Sequence, residues 1–248
     1  MQIGIGISIS GLARRRGSSP AVLFAASEPG VWLDPLDAAT VFSDTAGTTQ
    51  AGIGDPVARI NDKSGNGNHA TQPTLASRPI LREADGLRYL EFDGVDDWMF
   101  RDGVSGSQWT FAASAQTESA SAGMFFGNRT ASDDRFGVRF DQGTLSVGHF
   151  SGAWIGKVMS SPGAEPAVIS ALVDEGVSTV AFLNNTELTS TGAALSNTTS
   201  IFSIGAITAG NSHFQGRVFG IVLSGALVGE AVLADLRGFL ASKAGVQL

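Results

Sequence analysis

The chain has no cysteine and few charged residues, and both shortages narrow what it can be. Without cysteine, neither a disulfide framework nor a thiolate metal site can form in its 248 residues. Charged residues make up 16%, whereas glycine occurs 32 times. Such a composition is typical of short strands joined by tight turns, because glycine supplies the positive φ that these turns need.

Several chemical signatures are also missing. The three histidines, His69, His149 and His213, are too far apart for zinc-type spacing. No Gly-x-Ser-x-Gly nucleophile elbow and no phosphate-binding glycine loop ahead of a helix occurs. No apolar run approaches the roughly 20 residues that span a bilayer. Met1–Leu12 is a poor signal peptide, because its positive cluster follows the apolar stretch. We therefore expect a soluble protein with no membrane insertion.

Charge is unevenly distributed along the chain. The net charge is −7, and the first twenty residues contribute +3, so the remainder carries −10. A body this acidic repels polyphosphate, which argues against nucleic acid as a partner.

The N-terminal segment alternates isoleucine with glycine or serine, a period-2 pattern with one apolar face. Such a strand needs a sheet edge to pair with. Three interpretations remain open: an edge strand of the same domain, a docking arm that pairs with another subunit, or a flexible tail. We predict an arm and basic linker over residues 1–20, and one domain over residues 21–248. The predicted assembly anchor comprises Ile3, Ile5, Ile7, Ile9, Arg14, Arg15 and Arg16.

The remainder predicts an all-β protein. Short apolar runs are separated by acid-x-Gly turns such as Asp141–Gly143 and Asp174–Gly176, which indicate hairpins. One helix is predicted near the C-terminus, with Ser224 as its cap and Gly245 as its stop. Its apolar face would comprise Val228, Val232, Leu236, Phe239 and Leu240.

Four groups of segments resemble the concanavalin A-like (LamG-like) lectin and glucanase domains. The first two are Asp62–Ala70, read as D-K-S-G-N-G-N-H-A, and Tyr89–Trp98, read as Y-L-E-F-D-G-V-D-D-W. The paired strands around Val168–Asn185 and the closing F-L-A-S-K-A-G of Phe239–Gly245 follow in the family's order. The resemblance implies an antiparallel jelly-roll β-sandwich, here with an N-terminal extended arm and a short C-terminal helix.

The sequence from Trp32 to Pro79 resembles that of modules found in tailed bacteriophages and in prophage-derived or gene-transfer particles. This resemblance implies a structural virion component, a spike, fibre or decoration exposed on the particle. Its partners would be other virion proteins through the arm, further copies of itself, and host surface polysaccharide. We expect it not to be an enzyme. The alternatives are a laminarinase-like glycoside hydrolase and a structural adaptor without glycan binding.

Candidate site residues follow from chemistry and resemblance. Relatives of this family bind calcium through hard oxygen donors, for which the candidates are Asp62, Asn66, Asn68, Asp96 and Asp97. The same side chains also suit the capping of turns. For carbohydrate, the candidate platforms are Trp154 and Trp98, whereas Trp109 is predicted to lie in the core. A hydrolase would use Glu91, Asp93 and Asp96, yet Asp93, Asp96 and Asp97 equally suit hairpin-turn chemistry.

Overall fold

The structure is a computed structural model. It describes residues 19–102, 108–118, 123–129, 135–141, 143–150, 154–160, 163–174, 177–190, 201–206 and 212–248. The predicted assembly anchor, from Ile3 to Arg16, lies outside the described residues. Within the described residues, no helix is long and apolar enough to cross a membrane.

Two antiparallel sheets form a β-sandwich, as the sequence predicts. The first sheet contains β1 (Gly30–Leu33), β5 (Ile80–Ala84), β6 (Leu87–Asp93), β8 (Gln108–Thr117), β13 (Ala167–Asp174), β14 (Ser178–Leu183), β15 (Thr186–Glu187) and β18 (Gln215–Ser224). Its order is β15-β14-β13-β8-β18-β6-β5, and β1 pairs with the second half of β18.

The second sheet is the larger one. It contains β2 (Val41–Phe42), β3 (Arg59–Ile60), β4 (Ala70–Thr71), β7 (Met99–Asp102), β9 (Gly123–Arg129), β10 (Arg135–Asp141), β11 (Thr144–Phe150), β12 (Trp154–Ser160), β16 (Thr189–Ser190) and β17 (Ile201–Ile204). Its order is β16-β12-β11-β10-β9-β17-β7-β4-β3-β2. Short 3₁₀ turns occur at Pro20–Phe24, Ala38–Thr40 and Leu75–Ser77.

Aromatic side chains dominate the core between the sheets. The rings of Phe111 in the first sheet and Phe126 in the second lie 4.7 Å apart. Trp109 is only 1% exposed, which confirms that it is a core residue. Both predicted hairpins are also confirmed, with Asp141 opposite Thr144 and Asp174 opposite Ser178.

The C-terminal helix α1 (Glu230–Ala244) packs on the outer face of the first sheet, where Leu236 and Leu240 contact the strands. Gly245 ends it in the left-handed conformation, φ +69°, so the predicted stop is confirmed. The predicted start was wrong. Ser224 is the last residue of β18 and its hydroxyl donates to the carbonyl of Leu23, whereas Gly229 precedes the helix.

A buried carboxylate fastens this helix to the sandwich. Asp34, at the end of β1, is 3% exposed, and its Oδ2 lies 2.9 Å from Lys243 Nζ and 3.2 Å from Lys63 Nζ. Because Lys243 is on α1 and Lys63 is in the Asp62–Ala70 loop, one acidic side chain joins three segments distant in sequence.

Candidate functional site

The Asp93–Trp98 segment crosses between the two sheets at one end of the sandwich. It follows β6 of the first sheet and leads into β7 of the second, so the hairpin predicted from this motif was wrong. The predicted turn chemistry is nevertheless present, since Asp93 Oδ1 accepts from the amides of Val95 (2.8 Å) and Asp96 (3.3 Å). Gly94 has φ +78°, and a Cβ there would lie 2.7 Å from the side chain of Gln215.

Asp97 is the buried member of this turn. It is 5% exposed, and its Oδ2 accepts from the amide of Asp93 at 3.0 Å. The pKa of Asp97 is raised to about 7, mainly by burial and to a lesser extent by the nearby charges of Asp93, Asp96 and Glu91, against the opposing hydrogen bond from the Asp93 amide. Asp97 therefore changes its charge near neutral pH.

Three carboxyl groups converge here. One oxygen from each of Asp93, Asp96 and Asp97 lies within 4.8 Å of the others, and Ser77 donates to Asp96 at 3.3 Å. Carboxylate oxygens are ligands of the type that Ca²⁺ prefers, and these three groups would supply part of its roughly six to eight ligands. The group is exposed at Asp93, half-buried at Asp96 and buried at Asp97, so a cation has a path from solvent.

Two aromatic residues follow the carboxyl groups along the chain. Trp98 and Phe100 stack with ring centroids 4.8 Å apart and planes 22° apart, and both are half-buried. Because the intervening Met99 is fully buried in the core, these alternate residues face outward from the second sheet. One short segment thus supplies an outward-facing aromatic pair and three converging carboxylates, and we call these residues the corner site: Asp93, Asp96, Asp97, Trp98 and Phe100.

Neighbouring polar groups fix the backbone at Trp98. Its amide donates to the carbonyl of Ser77 at 3.1 Å, and its carbonyl accepts from Gln72 Nε2 at 2.7 Å. Gln72 is 1% exposed, and its Oε1 accepts from the amide of Thr74. The platform is thus held by buried hydrogen bonds from the β4 segment.

The predicted calcium ligands do not share one place. β4 and β7 pair antiparallel with Thr71 opposite Phe100, so Asn68 lies toward the C-terminal end of β7 and Asp97 before its start. At about 3.3 Å per residue, the two ends of this ladder are separated by well over 10 Å. Asp96 and Asp97 therefore belong to the corner site, and the other three candidates do not.

The oxygens of the Asp62–Ala70 loop are engaged in structural bonds. Asp62 accepts from the amides of Trp32, Ser64 and Asn68, at 2.8 to 2.9 Å. Asn66 and Asn68 donate their side-chain amides to the carbonyl of Gly30. These bonds tie the loop to β1, which agrees with the turn-capping alternative.

His69 completes this loop. Its Nδ1 accepts from the amide of Asp62 at 3.0 Å. Burial lowers the pKa of His69, which keeps the ring neutral and the acceptor nitrogen free of a proton. The histidine is thus a structural hydrogen-bond acceptor.

The other predicted residues are placed as follows. Trp154 is the first residue of β12, opposite Phe150, and its side chain lies outside the described residues. Glu91, proposed for a hydrolase, forms an ion pair with Arg82 at 2.7 Å on β5 and lies outside the carboxyl cluster. Phe100 was missed, although its position two residues after Trp98 in a strand was a usable signal.

No protein-family model matches the sequence, and no curated protein matches it. Solved structures do resemble the fold. Trypanosoma rangeli sialidase superposes with a TM-score of 0.59 at 11% identity, over 88% of this chain and 33% of that one. A second likeness is domain 4 of AbnA, a GH43 extracellular arabinanase from Geobacillus stearothermophilus, solved in complex with arabinotriose. It superposes with a TM-score of 0.57 at 15% identity, over 71% of this chain and 92% of that one.

A third likeness is the binding domain of botulinum neurotoxin serotype G, with a TM-score of 0.53 at 10% identity, over 74% of this chain and 49% of that one. This chain spans about a third of the length of the sialidase described above. At these identities the likenesses show the β-sandwich fold alone.

One sequence-based expectation is corrected by these likenesses. We expected the protein not to be an enzyme, but two of the three structures come from glycoside hydrolases, a sialidase and an arabinanase. A sandwich of this kind thus occurs within enzymes, and fold does not fix function. The exclusion of enzymatic activity is therefore withdrawn.

Proposed function

We propose that the protein is a glycan-binding module and that the corner site holds the sugar. The observation that carries this proposal is the outward-facing stack of Trp98 and Phe100, which lies in the same chain segment as the converging carboxylates of Asp93, Asp96 and Asp97. Aromatic faces cover the apolar C–H surface of a sugar ring, and a few fixed polar groups bind its hydroxyls. Both kinds of group are present within one short segment.

The platform is also preorganised. Gln72 and Ser77 fix the backbone of Trp98 through bonds that do not involve its ring. A ligand would therefore bind a surface that is already ordered in the folded protein. Less conformational entropy is then lost on binding, which favours affinity.

We propose calcium as the companion of the sugar at this site. The carboxylates of Asp93, Asp96 and Asp97 converge as a group of three, whereas the Asp62–Ala70 loop contains a single carboxylate, Asp62, which accepts from three backbone amides. A bound cation would supply positive charge for sugar hydroxyl oxygens.

For the biological setting, we propose a component of a phage-type or gene-transfer particle. Support comes from the sequence resemblance over Trp32–Pro79 and from the isoleucine-rich segment ahead of the domain. Anchoring through that segment to other virion proteins, together with homo-oligomerisation, would multiply weak sugar contacts into useful avidity. Deleting residues 1–16 tests the anchor, because incorporation of the truncated protein into particles would overturn it.

A glycan array tests the binding proposal. Wild type should bind at least one glycan. Trp98→Ala should bind it more weakly, by about 1–3 kcal/mol of binding free energy, because the substitution removes the aromatic ring that covers the sugar. Val95→Ala is the matched control, since Val95 is 72% exposed in the same turn but is not aromatic. Trp154→Ala tests the other predicted platform. Absence of binding by wild type to any glycan would favour the structural-adaptor alternative.

Glycoside hydrolysis is a second candidate, favoured by one observation. The pKa of Asp97 is raised to about 7, and other carboxyl oxygens lie within 4.8 Å, a combination that resembles a general acid beside a second carboxylate. Release of reducing sugar from any bound polysaccharide, abolished in both Asp97→Asn and Asp93→Asn, would support it. Binding without turnover would leave the binding function alone.

A further inference from the structure

Arg237 is a buried arginine whose N–H groups lack partners. It lies in the middle of α1, faces the first sheet and is 5% exposed. Its Nε and Nη1 are buried without a hydrogen-bond partner in the described part of the chain. Buried donors of a charged group are costly to leave unpaired, so such groups nearly always have an acceptor in a folded protein.

The surroundings of Arg237 hold a second orphaned polar group. Ser170 on β13 lies directly opposite Phe182 on β14 and Ala112 on β8, and Ala112 packs under α1. Directly opposite residues share a sheet face, so Ser170 also faces the helix layer. It is fully buried, and its Oγ has no partner among the described residues.

Phe182 links the two groups. The guanidinium carbon of Arg237 lies 4.4 Å from the centre of the Phe182 ring, so the ring covers one face of the guanidinium. The in-plane N–H groups remain for other acceptors. Phe182 is only half-buried and lies next to the exposed edge strand β15, which leaves a side approach from solvent.

Charge indicates what the acceptor should be. Burial lowers the pKa of Arg237, and among the described residues the charge of Glu230, seven residues earlier on the helix, opposes this effect. A guanidinium presents pairs of parallel N–H donors that match the two oxygens of a carboxylate. A carboxylate would satisfy both the charge and the donor geometry, whereas water would satisfy only the donors.

We propose that the layer between α1 and β14 binds a carboxylate, held by the Arg237 guanidinium and the Ser170 hydroxyl with Phe182 beside them. The site is on the helix-covered face of the first sheet, several strands from β6 and the corner site. The inference does not depend on the proposed glycan-binding function.

The test is a titration followed by the side-chain Nε–H NMR resonance of Arg237, assigned with Arg237→Lys. Sodium succinate and sodium glucuronate should each shift it saturably, and their relative affinities distinguish a free organic acid from a sugar acid. Glucose, and sodium chloride at the same ionic strength, should not. Ser170→Ala should weaken the affinity about tenfold through loss of one hydrogen bond to a charged group.

Thermal unfolding gives an independent readout. Either carboxylate should raise the Tm of wild type, and Arg237→Met should abolish this increase. Arg88→Met, which breaks the partly exposed ion pair with Glu83, is the control and should retain it. If the wild-type resonance moves with neither carboxylate, the donors are satisfied by water and the proposal is overturned.

Discussion

Asp97→Asn should change the pH dependence of stability. Asparagine keeps the acceptor for the Asp93 amide but removes the ionisable group. In the folded protein the pKa of Asp97 is raised from 3.8 to about 7, mainly by burial. The native state therefore holds this proton to higher pH than the unfolded chain, and wild-type stability falls as pH rises from about 4 to about 7.

The magnitude follows from the same values. Each unit of pKa corresponds to 1.36 kcal/mol, so the full effect is about 4 kcal/mol, and the partial exposure of the neighbouring carboxylates reduces it to about 2–4 kcal/mol. Asp97→Asn should match wild type near pH 4 and exceed it by this amount at pH 8.

Urea unfolding between pH 4 and pH 8.5, with a chelator to exclude Ca²⁺, measures this difference. Asp85→Asn is the matched control, because Asp85 is exposed at φ +53°, a conformation that asparagine also adopts. Its effect should stay within about 0.5 kcal/mol at every pH. A constant difference between Asp97→Asn and wild type across the range would refute the reasoning.

Three further changes test other parts of the account. Ca²⁺ at millimolar concentration should raise the Tm of wild type but not of Asp97→Asn, and equal responses in calorimetry would exclude the corner carboxylates as its ligands. Asp34→Ala should cost about 3 kcal/mol in urea unfolding, because its two lysine partners lose a buried counter-charge; an effect below 1 kcal/mol would contradict the fastening role. Gly205→Ala should cost at least about 1 kcal/mol, since the residue has φ +85° and a Cβ would lie 2.4 Å from the Phe92 ring; unchanged thermal stability would show that the ring moves aside.

Local chemistry was the predictable part of the fold. Alternating apolar residues and nearby turn residues were enough to predict four features. These are the hairpins at Asp141 and Asp174, the core position of Trp109 and the end of the helix at Gly245. At the Asn184–Asn185 turn, Asn184 adopts the left-handed conformation with φ +53°. Both side chains tolerate that conformation, so type alone does not choose between them.

Long-range pairing was the unpredictable part. Asp93 and Asp97 bond the backbone as expected, yet which sheet each flanking strand joins depends on partners far along the chain. Ser224 carries a capping side chain, but β18 extends through it because β1 and β8 pair there. Strand pairing thus outweighed a local helix-capping preference.

The same reasoning explains the candidate site. In the sequence, Asp62 and Asp97 look equally suited to bind calcium, but the β4–β7 register places their segments at opposite ends of a strand. The ion pairs of Asp34 with two distant lysines, and the orphaned Arg237, have no local sequence signal at all.

The most direct test of the central claim is calorimetric titration of the best array oligosaccharide into wild type and Trp98→Ala. The account predicts saturable binding by wild type and at least tenfold weaker binding by the variant, with an unchanged Tm. Equal affinity for a correctly folded Trp98→Ala would contradict the assignment of the corner site as the glycan-binding surface.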